Sequence, residues 1–141
     1  MSNVIVDSCV VAKWVLAEPD SAKARQLGAD TTTSGHKSLA LDLVYAEVGN
    51  AIWKRHYRGI IDLQTTARCL TDLDSSPLDI HSSRRLLAPA MMVASKYRRS
   101  FYDSLFVAHV ADLQLPGVTA DEPLYRAVHS DHPGIVPLRD W

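Results

Sequence analysis

Val4-Ile5-Val6 sets three consecutive β-branched apolar residues directly ahead of an acid, Asp7. A strand with one wet face alternates apolar and polar positions, so an unbroken apolar run predicts a strand covered on both faces. Such a strand belongs in a parallel sheet with helices above and below it. The rest of the chain alternates to match. Helices are expected over Cys9–Leu16, Ser21–Ala29, Leu43–Tyr57 with Asp42 as its N-cap, and from Asp62 to about Leu73. Three more are expected over Arg84–Lys96, where Pro89 is a difficulty for the first part, over Ser100–Leu113, and from Asp121 to about Val128. Further strands are expected at Ser38–Leu41, Leu78–His81, Val118-Thr119 and Ile135–Leu138. The expected fold is a three-layer α/β/α arrangement with a central, mainly parallel sheet, forming one domain over residues 1–141.

A chain of 141 residues with a 47% hydrophobic fraction can bury a core without metals or disulfides. A metal site in it would therefore be functional rather than structural. Fifteen basic against sixteen acidic residues give a net charge of -1, which argues against a general nucleic-acid coat but leaves room for a local basic rim. Cys9 and Cys69 have no zinc-binding spacing. The N-terminus lacks the basic region and cleavage site of a signal peptide, and no apolar run is long enough to span a bilayer, so a cytoplasmic protein without membrane association is expected.

Four acids stand out by their placement. Asp7 follows the first strand and Asp121 nearly follows the strand at Val118-Thr119, and parallel sheets build ligand sites at the carboxyl ends of their strands. Glu47 lies within the helical stripe of Leu43, Val44, Val48, Ala51 and Ile52, and a carboxylate there needs a partner or a cation. Lys54 or Arg55 could supply one. Asp103 lies on the side of its helix shared with Phe106 and Val110. Taken singly, Asp7 and Asp121 are explained as well by helix capping as by metal binding, and Asp103 slightly better as the far half of a capping box. Taken together they would repel, by roughly 4 kcal/mol for two carboxylates about 4 Å apart at an effective dielectric near 20. A bound cation relieves that repulsion, and all-oxygen ligation favours Mg²⁺ or Mn²⁺ over Zn²⁺. Such ions promote phosphodiester cleavage.

The segments that carry these acids resemble PIN-domain proteins. They are Val4–Trp14, Tyr45–Lys54 with Glu47 ahead of Asn50-Ala51, Phe101–Ala108 around Asp103, and Thr119–Leu124 around Asp121. Their order and spacing extend the resemblance over essentially the whole chain, and within the family it points to VapC toxins. It implies a Mg²⁺- or Mn²⁺-dependent endoribonuclease, dimeric, and held inactive by a VapB-type antitoxin. It also implies that Asp7, Glu47, Asp103 and Asp121 are both the catalytic residues and the metal ligands. One position departs from the family. Ser or Thr often follows the first acid by two residues, whereas Cys9 stands there, beside Ser8, and a thiol is a poor substitute for a hydroxyl toward Mg²⁺.

An RNA substrate needs cations near the acids. Lys13, Arg98 and Arg99 are the candidates, with Lys54, Arg55 and Arg58 further along their helix. His109 is read as structural or interfacial, and Trp14 and Trp53 as possible antitoxin contacts. Two other functions compete. A catalytically silent PIN fold that only binds RNA or protein is one. A receiver-like phosphoacceptor is the other, but it needs adjacent acids after the first strand and a late Lys, neither of which is present.

Overall fold

The computed structural model describes residues Met1–Trp141. Five strands form one parallel sheet: β1 (Val4–Val6), β2 (Ser38–Leu41), β3 (Leu78–His81), β4 (Gly117–Thr119) and β5 (Ile135–Pro137). Their spatial order is β3-β2-β1-β4-β5. The register is set by Val4 opposite Ser38 on one side of β1 and by Ile5 opposite Gly117 on the other. The chain therefore winds outward from β1 in one direction and, later, from β4 in the other. That reversal leaves a crevice at the carboxyl ends of β1 and β4.

Seven α-helices cover the sheet: α1 (Ser8–Val15), α2 (Ser21–Thr33), α3 (Val44–Tyr57), α4 (Leu63–Asp74), α5 (Leu87–Tyr97), α6 (Phe101–Leu113) and α7 (Glu122–Val128). The side-chain alternation of β1 assigns the layers. Val4 and Val6 pack with Val10, Leu27, Val48 and Leu73, so α1 to α4 cover one face. Ile5 packs with Phe106, Val107, Leu124 and Ile135, so α6 and α7 cover the other. Leu86, Ala90, Leu105 and Ala108 dock α5 onto α6 beneath Leu41. The three-layer fold expected from the sequence is the one observed. Gly117 is required where β4 meets α6. A Cβ there would collide with Val110 Cγ2 and stand 3.1 Å from Phe106 Cζ.

Three local expectations need correction. The helix expected from Arg84 begins instead as a short 3-10 turn over Arg84–Leu86, and α5 starts at Leu87, which places Pro89 in its first turn, where its missing N–H has no intrahelical partner to lose. Asp42 does not cap α3; its Oδ1 accepts from Ser83 N at 3.3 Å, and α3 starts after Leu43 without a side-chain cap. The helix from Ser21 runs to Thr33 rather than Ala29, since Thr31, Thr32 and Thr33 each turn a hydroxyl back onto a carbonyl one turn earlier. No helix is long and apolar enough to cross a membrane.

Candidate metal and RNA site

Asp7 leaves β1 and caps α1, its Oδ1 accepting from Ser8 N at 2.8 Å. Its other oxygen, Oδ2, accepts from Thr119 Oγ1 at 2.8 Å and from Cys9 Sγ at 3.4 Å. Thr119 ends β4, is fully buried, and accepts in turn from Asp121 N at 3.1 Å. Asp121 caps α7 by accepting from Leu124 N at 3.0 Å. Ser100 caps α6 by accepting from Asp103 N at 3.1 Å, which puts Asp103 in the first turn. The capping explanation of these acids is thus correct for Asp7 and Asp121, and it fixes them at the same sheet edge.

Glu47 reaches this edge from α3. It is half-buried and borders the cleft instead of facing the core; Val44, Val48 and Ile52 form the buried stripe beside it. Arg55 does not neutralise it, because Arg55 pairs with Glu18 at 2.9 Å. Glu47 therefore lacks a cation. Burial, followed by the charges of Asp7 and Asp103 and partly offset by Ser8, pushes its pKa up to about 7. Burial pushes Asp7 up to about 6, against the lowering effect of the Thr119 hydrogen bond. Burial and the nearby Asp121 charge raise Asp103, while Arg99 pulls it back.

The four acids are close enough to repel one another, yet no group of three or more Asp, Glu, His or Cys side chains is placed so as to hold a metal ion. Arg99 lies among the acids, its Nη2 3.3 Å from Asp103 Oδ2 and 3.9 Å from Asp121 Oδ2. The donor set nonetheless suits Mg²⁺ or Mn²⁺. It consists of hard carboxylate oxygens, and two of them are costly to ionise without positive charge nearby.

Glu47 and Asp121 also border a cleft of about 450 Å³ with Ser8, Cys9 and Lys13. Lys13 Nζ donates to Pro19 O at 2.8 Å. Arg98 is exposed at the end of α5. Of the three basic candidates, Arg99 alone touches an acid of the site. His109 is buried, and its Nε2 pairs with His81 Nδ1 at 3.1 Å across to β3. Cys9 is no nucleophile: burial and the Asp7 carboxylate keep its thiol protonated. Trp14 is engaged inside the chain, donating to Ala24 O at 2.8 Å, whereas Trp53 is exposed and lies 5.5 Å from the Tyr57 ring.

Sequence reasoning missed Thr119. Position 9 lacks the expected hydroxyl, and Thr119 supplies one to Asp7 from the neighbouring strand. Its only sequence signal is a polar residue ending an apolar strand two positions before Asp121.

Comparison with known proteins agrees with this architecture. The chain is 27% identical over 108 residues to Ribonuclease VapC3 of Pyrobaculum aerophilum, covering 75% of this chain and 79% of that protein. The solved structure of PAE2754 from Pyrobaculum aerophilum superposes with a TM-score of 0.73 at 22% identity, covering 99% of this chain and 85% of that one. A chain of the toxin–antitoxin complex from Klebsiella pneumoniae superposes with a TM-score of 0.62 at 14% identity, covering 96% and 97%. No family model matches the sequence. The fold is the PIN-like fold shared by these solved structures. The sequence likeness is to a ribonuclease of the VapC type.

Proposed function

We propose that residues 1–141 form one Mg²⁺- or Mn²⁺-dependent endoribonuclease domain, the toxin of a toxin–antitoxin pair. The observation that carries this reading is the convergence of Asp7, Glu47, Asp103 and Asp121 on the sheet's topological switch point with too little positive charge among them. The likeness to a ribonuclease of the VapC type supports RNA as substrate. The likeness to a chain of a toxin–antitoxin complex supports a protein antitoxin as partner. Exposed Trp53 and Tyr57 on α3 offer such a partner an aromatic surface, and exposed Leu87, Met91 and Met92 on α5 offer an aliphatic surface to a second copy in a homodimer.

Asp7, Glu47, Asp103 and Asp121 would hold the ion. When bound, it supplies positive charge to the reacting phosphodiester and lowers the pKa of water. The protein's own contribution is placement. Ser8 N and Thr119 Oγ1 each hold one oxygen of Asp7, so that the carboxylate needs little reorganisation. At the α7 N-terminus, Leu124 N holds the Asp121 carboxylate in place. Lys13 and Arg99 bring positive charge to an RNA backbone entering the cleft.

Replacing Asp7 or Asp103 with Asn tests the reading. Mg²⁺-dependent cleavage of single-stranded RNA should fall at least about 100-fold in each variant. Unchanged cleavage in either variant refutes the assignment. A second reading, a silent PIN fold that binds RNA or protein, is favoured by the open arrangement of the acids around Arg99. It predicts no heat when Mn²⁺ is titrated into the wild type or the Glu47→Gln variant.

A further inference from the structure

Arg99 is held beside two of the four acids, Asp103 and Asp121. It follows Arg98, which closes α5 in the left-handed region at φ 54°, and precedes Ser100, the N-cap of α6. Two helix ends thus fix its backbone. Its side chain turns back over the first turn of α6 and is only 26% exposed. Nη2 faces Asp103 and Asp121, but Nε is buried and bonded to nothing. A buried N–H without an acceptor is costly, and an arginine drawn by solvation alone would swing into water. No other Lys, Arg or His nitrogen lies within 4.0 Å of any of the four acids.

We propose that Arg99 is a built-in counter-cation. In the metal-free chain it fills the charge position between Asp103 and Asp121, and it gives way when a divalent ion enters. Its Nε and Nη2 form the fork edge that matches two phosphate oxygens, and only half of that edge is engaged in the metal-free state. Released outward, the edge pairs with the RNA backbone at the mouth of the site. Arg99 thus opposes metal binding and favours substrate binding. This rests on reading the four acids as the metal site.

The two effects have opposite signs, which a purely structural role would not produce. The test titrates Mn²⁺ alone calorimetrically into the wild-type chain, Arg99→Gln, Arg99→Lys and Lys37→Gln. Lys37 precedes β2, at the sheet edge opposite the acids, so its loss matches the charge change without touching the site. Arg99→Gln should bind Mn²⁺ about tenfold tighter, and Lys37→Gln should match the wild type. With Mn²⁺ saturating, Arg99→Gln should bind a fully 2′-O-methylated single-stranded oligonucleotide about tenfold more weakly by anisotropy. Equal or weaker Mn²⁺ binding by Arg99→Gln, alongside measurable wild-type binding, overturns the inference and leaves the metal site standing. Absence of Mn²⁺ binding in all four chains overturns both. Unchanged oligonucleotide binding overturns the outward move. If the Gln variant does not fold, Arg99→Lys decides the matter. It keeps the charge and loses the fork, so it should bind Mn²⁺ as the wild type does and the oligonucleotide more weakly, and Mn²⁺ binding about tenfold tighter or oligonucleotide binding equal to the wild type overturns the inference.

Discussion

The Asp7 carboxylate is held from the backbone of Ser8, the hydroxyl of Thr119 and the thiol of Cys9. Of these, Thr119 carries the most, because it also receives Asp121 N and so couples two acids from adjacent strands. Thr119→Val keeps the volume but leaves Asp121 N without its acceptor and Asp7 Oδ2 without its best donor. It should cost about 1–3 kcal/mol in urea unfolding and raise the Mn²⁺ concentration needed for half-maximal cleavage. Thr119→Ser should restore both, and a Val variant equal to wild type in both assays would remove Thr119 from the site. Residues of this kind are hard to read in a sequence. Asp7 and Asp121 were legible because they follow apolar strands, whereas the contact between Thr119 and Asp7 spans 112 positions and exists only once β1 and β4 pair.

Elements were legible where one physical signal dominated. The all-apolar β1 gave both the parallel sheet and its burial, and Asp62, Ser100 and Asp121 marked helix starts that their side chains do cap. Errors arose where two signals competed. Asp42 looks like a cap, but Ser83 N from the next crossover takes its carboxylate. Glu47 sits at helical spacing within an apolar stripe, but that stripe is narrow enough for its edge to open onto the cleft. The centre of α6 is buried on every side from Ser104 to Val110, so no periodicity marks a core face there. The contact of α6 with β4 offers a sharp test. Gly117→Ala forces a methyl against the stiff Val110 side chain and should destabilise the fold by about 1–3 kcal/mol in urea unfolding. Combining it with Val110→Ala should recover part of that loss, and a fully stable Gly117→Ala chain would contradict the packing described.

At the scale of the whole molecule, the acid cluster is a stability cost kept for function. Asp7, at about 6, and Glu47, at about 7, are both raised above their unfolded values, so the folded chain binds more protons across that range. Their contribution is fully present below about pH 4 and is lost as pH rises through 6 to 7. Buried His109, lowered to about 4 by desolvation, acts oppositely and loses stability as pH falls from about 6.5 toward 4. In chelator, Glu47→Gln should therefore melt higher than wild type at pH 8, and the gain should vanish near pH 5. An unchanged melting temperature at pH 8 would show that Glu47 bears no such repulsion. A divalent ion should relieve the same cost in the wild type. The most direct test is anomalous diffraction from a crystal of the chain soaked in Mn²⁺ at pH 8. The account predicts a single strong region of anomalous density within ligand distance of Asp7 and at least one of Glu47, Asp103 and Asp121. No density there, or density confined to other surface acids such as Asp131, would contradict it.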